Sequence, residues 1–258
     1  MSNRLQLTLV ATLFNVLFEY ALRGINAFLA RPFFIVIMFT AYFTLFTLQD
    51  GLIRRYHLRD YHLFILAFTY GMVYQCLFSG VAFQEPTFLG INWGQVLFTL
   101  IFWWGTVQSV LTFYIANRVV ARDWSARPLS RGGWGIALLL NLFVIFLFQR
   151  SPEIPRGRPI GYLMMLLVFA AGAFVLYLTV RGRKLDPRRF EPSRLMDILS
   201  AVSLLLFVYA AFLLPHDPVA MRTTTVNATS ARLIAAWTVL VTFIIWGGRL
   251  VRRRSYAV

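Results

Sequence analysis

Glu19 and Arg23 stand four residues apart in a run of Leu, Val, Phe, Ala and Ile, and Thr8, Thr12, Asn15 and Asn26 flank them at intervals of three or four. At about 100° per residue, these six positions fall on one narrow stripe of a helix. A carboxylate and a guanidinium one turn apart neutralise each other, and the amides and hydroxyls beside them can hydrogen-bond a solute or a neighbouring helix. Facing lipid near the middle of a span, a Glu or Arg costs about 2.5 to 3.5 kcal/mol, so the stripe has to face other helices or a wet cavity. Two readings follow. Asn15, Glu19, Arg23 and Asn26 contact a substrate or ion, or the pair fixes helix packing, either inside a bundle or on an amphipathic helix lying in the interface.

A second polar stripe runs through Gln95, Thr99, Thr106, Ser109 and Asn117. Gln95, Thr106 and Ser109 join the candidate substrate or ion contacts, because two striped helices facing each other would line one interior path. The bland alternative is ordinary helix contact, where small polar groups in lipid contribute about 0.6 kcal/mol each. Asp197 and Arg194 read as a pair at a membrane boundary, with Ser193 placed to cap the helix that follows. His57 and His62 are five apart and share no helical face, and Cys76 is the single cysteine, so no metal, haem or other cofactor is expected. Phosphate-binding loops and the Gly-x-Ser-x-Gly elbow are absent from the sequence. The segment Phe18-Glu19-Tyr20-Ala21-Leu22-Arg23-Gly24 resembles part of the Glu-Glu-x-x-x-Arg motif of the intramembrane CAAX-protease-like family, in which glutamate and later histidines activate water. Phe18 stands where the first Glu belongs and no histidine lies well inside a later apolar run, so membership does not follow.

Eight elements have to carry these residues. The apolar stretches run over 7–29, 32–48, 61–83, 95–119, 134–148, 160–180, 195–214 and 233–248. Most approach the ~20 residues that cross a hydrocarbon core as helix. The chain of 258 residues is 59% hydrophobic and 14% charged, too little polar surface to coat a soluble globule. Runs such as Leu204-Leu205-Leu206-Phe207-Val208 are apolar on every side, which excludes the alternation of barrel strands. The expected fold is all-α: one polytopic transmembrane helix bundle, residues 1–258, with about eight spans. Two segments fit a span less well: the fifth is short, and the first is interrupted by charge and could lie flat, which would leave seven spans.

Charge sets the expected orientation. Sorting the 25 basic residues by alternate connectors puts 18 on one side and seven on the other. By the positive-inside rule both termini are cytoplasmic. The net charge of +15 is dispersed over helix ends, which fits an anionic phospholipid surface and excludes nucleic acid as the partner. The basic connector with Arg181, Arg183, Lys184, Arg188 and Arg189 is the candidate docking loop for a partner protein subunit. The preference for Arg over Lys points to a prokaryotic cytoplasmic membrane. The expected function is a permease-like protein or membrane-embedded subunit of a larger assembly, without catalytic chemistry of its own. The alternative is an integral membrane enzyme acting on lipid, with Glu19, Glu153, His216 and Asp217 as its acid–base groups.

Overall fold

Ser2 starts the first helix by accepting the backbone N–H of Leu5 on its hydroxyl, and Gly24, at φ +80°, ends it. In the computed structural model, which describes residues 2–26, 32–125, 129–152, 154–181, 193–214 and 226–255, this is α1, Asn3–Arg23. It is followed by α2 (Pro32–Tyr56), α3 (Asp60–Leu77), α4 (Trp93–Val119), α5 (Arg131–Arg150), α6 (Pro159–Val180), α7 (Arg194–Leu213) and α8 (Ala228–Ser255). No strand occurs among the described residues.

Seven of these helices are long and apolar enough to cross a membrane. The eighth, α3, has 18 residues, about 27 Å of helix, and carries Asp60 and His62 at its start. Its place beside α4 makes it part of the same bundle. Gly71 of α3 meets the Trp104 ring and Gly105 of α4 meets the Phe64 ring, so closely that a Cβ on either glycine would clash. The protein is therefore an all-α polytopic bundle of about eight spans.

Contacts between helices obey strict up-and-down alternation. Arg4 reaches Asp50 and Tyr42 reaches Glu19, so α1 and α2 are antiparallel. Asn15 bonds Thr112 and Asn3 bonds the carbonyl of Ala121, which sets α4 antiparallel to α1. Asn141 bonds Thr44 while Trp134 packs at Gly51, which does the same for α5 and α2. Residues 3–4, 50–60, 114–124, 193–197 and 249 consequently share one end, the arginine-rich one. Leu22, Leu77 and residues 80–92, 149–152 and 154–162 sit toward the other.

Two apolar clusters form the core, one centred on α2 to α4, the other joining α1 and α4 to α7 and α8. Helices α1 and α4 belong to both, and they are the most enclosed spans. Helix α6 packs chiefly on α3 and leaves Leu166, Leu167, Phe174 and Leu178 exposed, as expected of a surface that meets lipid tails.

Several expected boundaries move. The connector read over 49–60 is helical to Tyr56, so Asp50 and Arg54 lie on α2. The short fifth segment lengthens to 20 residues, enough to cross. Helix α1 does not lie flat at the interface. It runs through the bundle from Arg4 beside Asp50 to Leu22, whose carbonyl accepts the N–H of Asn227 at 2.8 Å. Trp93 stands at the first residue of α4 and donates to the Phe88 carbonyl, whereas Trp246 turns inward and donates to Thr106.

Candidate functional site

The stripe on α1 faces inward over its whole helical length. Thr8, Thr12, Asn15 and Glu19 are buried, and Arg23 is 17% exposed at the side chain. Thr8 and Thr12 donate to carbonyls one turn back in their own helix, which leaves them little for other partners. Asn26 leaves the stripe: Gly24 has already ended the helix, and Asn26 is exposed.

Glu19 is the centre of a polar chain that crosses three helices. Arg23 donates to one carboxylate oxygen and the Tyr42 hydroxyl donates to the other. Gln108 of α4 donates its amide N–H to the Tyr42 oxygen at 2.9 Å. Tyr42 and Gln108 are both buried, and the rings of Tyr74 and Trp104 pack against Tyr42 with centroids 6.3 and 6.4 Å away. One turn deeper, the Asn15 amide donates to Thr112 at 2.9 Å. A lone buried carboxylate would be costly here. The pairing with Arg23 and the phenol donor make its burial tolerable.

The second stripe does not reach this chain as one face. Residues Thr99–Leu111 of α4 form a π-helix, in which hydroxyls of Thr106 and Thr112 bond carbonyls five residues back, Ile101 and Val107. The wider turn defeats the 3.6-residue spacing and fans the polar positions out. Gln95 is exposed near the arginine-poor end. Thr106 accepts Trp246 of α8, and Ser109 donates to the Leu63 carbonyl of α3 at 3.1 Å. The two striped helices meet directly at Thr112 and, by way of Tyr42 on α2, at Gln108, neither of which belongs to the stripe.

At the arginine-rich end α1 and α2 are tied again, this time to the connector that follows α4. Asp50 is fully buried, with Arg54 at 2.7 Å, Arg122 at 3.2 Å and Arg4 at 3.3 Å. Arg54 also donates to the Asp123 carbonyl and to Asn3. Arg122 lies over the rings of Phe113 and Trp124. Burial pushes the Arg122 guanidinium down to about 10. Asp50 pulls it up, while Arg54 and Arg4 push it down further. Its charge, carried at neutral pH, therefore opposes folding, and that cost is relieved only as pH rises through about 10.

Asp197 takes a partner other than the expected Arg194. Arg118 of α4 holds it by two bonds of 2.8 and 3.1 Å, and Tyr114 donates to it at 2.7 Å. Ser193 precedes α7 as expected, but its hydroxyl caps nothing; its backbone bonds the Tyr114 hydroxyl. His57 stacks on Trp124 and His62 accepts the N–H of Arg59. Among the described residues no group of His, Cys, Asp and Glu could hold a metal ion. Of the candidate docking loop only Arg181 is described, lying over Tyr177; Arg183, Lys184, Arg188 and Arg189, like Glu153, His216 and Asp217, lie outside the described residues.

Sequence reasoning missed Tyr42, Gln108, Thr112, Asp50 and Arg122. Asp50 and Arg54 carried the one usable signal, an acid and a base four apart. Tyr42 and Gln108 are isolated polar residues in apolar runs and had none. No known protein family, curated protein or solved structure matches this chain.

Proposed function

We propose that this chain is a permease-like, membrane-embedded subunit of a larger assembly in a prokaryotic cytoplasmic membrane, with no catalytic chemistry of its own and both termini in the cytoplasm. The observation that carries this reading is the double tie that joins α1 and α2 to α4 and to the connector that follows it: Arg23, Glu19, Tyr42 and Gln108 in one half, and Arg4, Asp50, Arg54 and Arg122 at the arginine-rich end. A gated path needs polar groups that face inward and contacts that close it reversibly. A neutral contact such as Gln108 to Tyr42 is worth about 0.6 kcal/mol in lipid, within reach of the roughly 1 to 3 kcal/mol that differential ligand binding supplies. A fully apolar seam would offer a solute nothing to exchange for.

The lipid-enzyme alternative is less well supported. Both Glu19 oxygens are already engaged inside the bundle, one by Arg23 and the other by Tyr42. An energy source has to come from a partner or an ion gradient, since the sequence has no phosphate-binding loop. A partner subunit would dock at the arginine-rich end, where the basic loop after Arg181 emerges.

Purification of the tagged chain in mild detergent, then reconstitution and flux measurements with rubidium, chloride and a panel of amino acids, tests the reading. Partner chains at fixed stoichiometry, and flux altered in folded Glu19→Gln, support it. A chain that purifies alone and leaves liposomes as tight as protein-free ones contradicts it.

A further inference from the structure

Between the arginine-rich ends of α2 and α6 lies a cleft of about 400 Å³, within the size range of small-molecule sites. Its walls are apolar: Leu52, Leu58, Ala173 and Leu176 line it. Its rim is not. Tyr56, Tyr177 and Arg181 border it, all three exposed. The Arg181 guanidinium lies 5.6 Å above the Tyr177 ring, and Arg55 lies 5.5 Å from the Tyr56 ring beside it. Stacking on a ring holds a guanidinium in place while leaving its N–H groups free. No hydrogen bond joins Arg181, Tyr56 or Tyr177 to another described side chain.

We propose that this cleft binds one anionic phospholipid, its acyl chain between α2 and α6 and its phosphate on Arg181 and the two tyrosine hydroxyls. Depth and charge both select this occupant. The cleft closes at the last turns of two membrane helices, where headgroups lie, and its apolar walls run from there toward the hydrocarbon. A planar fork of N–H donors fits a phosphate, and a cation here gains about 1 kcal/mol from an anionic leaflet. A soluble anion would use the rim but not the walls, and a neutral lipid the walls but not Arg181. The site is independent of the polar chain around Glu19, so it stands whether or not the bundle transports anything.

Native mass spectrometry of the delipidated full-length protein, titrated with phosphatidylglycerol or phosphatidylcholine, provides the test. Wild type should retain phosphatidylglycerol in preference to phosphatidylcholine. Arg181→Gln should weaken phosphatidylglycerol retention about fivefold, the equivalent of about 1 kcal/mol, while Arg131→Gln, at an exposed arginine that does not line the cleft, should not. Ala173→Trp, at an exposed wall position, fills the cleft and should abolish retention of the tightest lipid with Arg181 intact. Equal retention by wild type, Arg181→Gln and Ala173→Trp overturns the proposal, as does equal retention of the two lipids by wild type. A dimer that Ala173→Trp dissociates without changing lipid retention also overturns it, since the cleft would then belong to a second copy.

Discussion

Glu19 accepts from two donors, Arg23 and Tyr42, so what replaces it decides what the bundle loses. Glu19→Ala takes the carboxylate from the Arg23 guanidinium and the acceptor from the Tyr42 hydroxyl, and removing one member of such a buried pair should cost about 3 kcal/mol. Tyr42→Phe keeps the ion pair but deprives Gln108 of its acceptor, a loss of about 1 to 2 kcal/mol. Thermal unfolding in detergent, followed by tryptophan fluorescence, should rank the midpoints wild type, Tyr42→Phe, Glu19→Ala in falling order. At the other tie the two partners should behave unequally. Asp50→Asn leaves three arginines facing one another and should cost at least about 3 kcal/mol. Arg122→Met removes a charge that burial already penalises and should change stability by less than about 1 kcal/mol. Equal losses in the two variants would show that Asp50 is not the hub. The charges at 19 and 23 were legible because ionisable residues in an apolar run are rare enough to stand out. Their partners were not, because one tyrosine or glutamine in a helix has no period to betray which way it faces.

Helix α4 shows where periodicity misleads. Its polar positions fit a 3.6-residue stripe on paper, yet the π-helical stretch Thr99–Leu111 turns Thr106 toward α8, Ser109 toward α3 and Gln108 toward α2. Hydrogen-bond register leaves no trace in residue type, so this rotation could not be read beforehand. The close seam between α3 and α4 depends on Gly71, where a Cβ would come within 2.7 Å of the Trp104 ring. Gly71→Val should therefore push the helices apart at a cost of about 1 to 3 kcal/mol and disturb Trp104, which packs against Tyr42 and Tyr74. A lowered unfolding midpoint together with a shifted tryptophan emission spectrum is the expected result; an unchanged spectrum would mean the seam is looser than described. Helix existence was legible throughout, since apolar runs of this length in lipid have few other solutions. Helix ends were not, because Asp50 and Arg54 look like connector residues until their partners on α1 and beyond α4 are seen.

For the whole molecule, alternation is the organising fact. Eight helices in up-and-down order bring the arginine-rich connectors to one end, where Arg4, Arg54, Arg118, Arg122 and Arg249 meet Asp50, Asp60 and Asp197. That much was legible from charge alone, since basic residues at span ends obey the membrane before they obey the fold. Which helices neighbour which was not, because lipid-facing and core-facing surfaces are equally apolar in this chain. The proposed docking end and the proposed lipid site both assume that this end lies in the cytoplasm. Single-cysteine labelling in intact cells tests it most directly, on a Cys76→Ala background that removes the single, buried native thiol. Cysteines at exposed Asn26 and Gln84 should react with a membrane-impermeant maleimide from outside, while cysteines at exposed Ser2 and Ser125 should react only after the membrane is opened. Labelling of Ser125→Cys and Gln84→Cys from the same side would contradict the eight-span arrangement, and reaction of Ser125→Cys in intact cells would contradict its orientation.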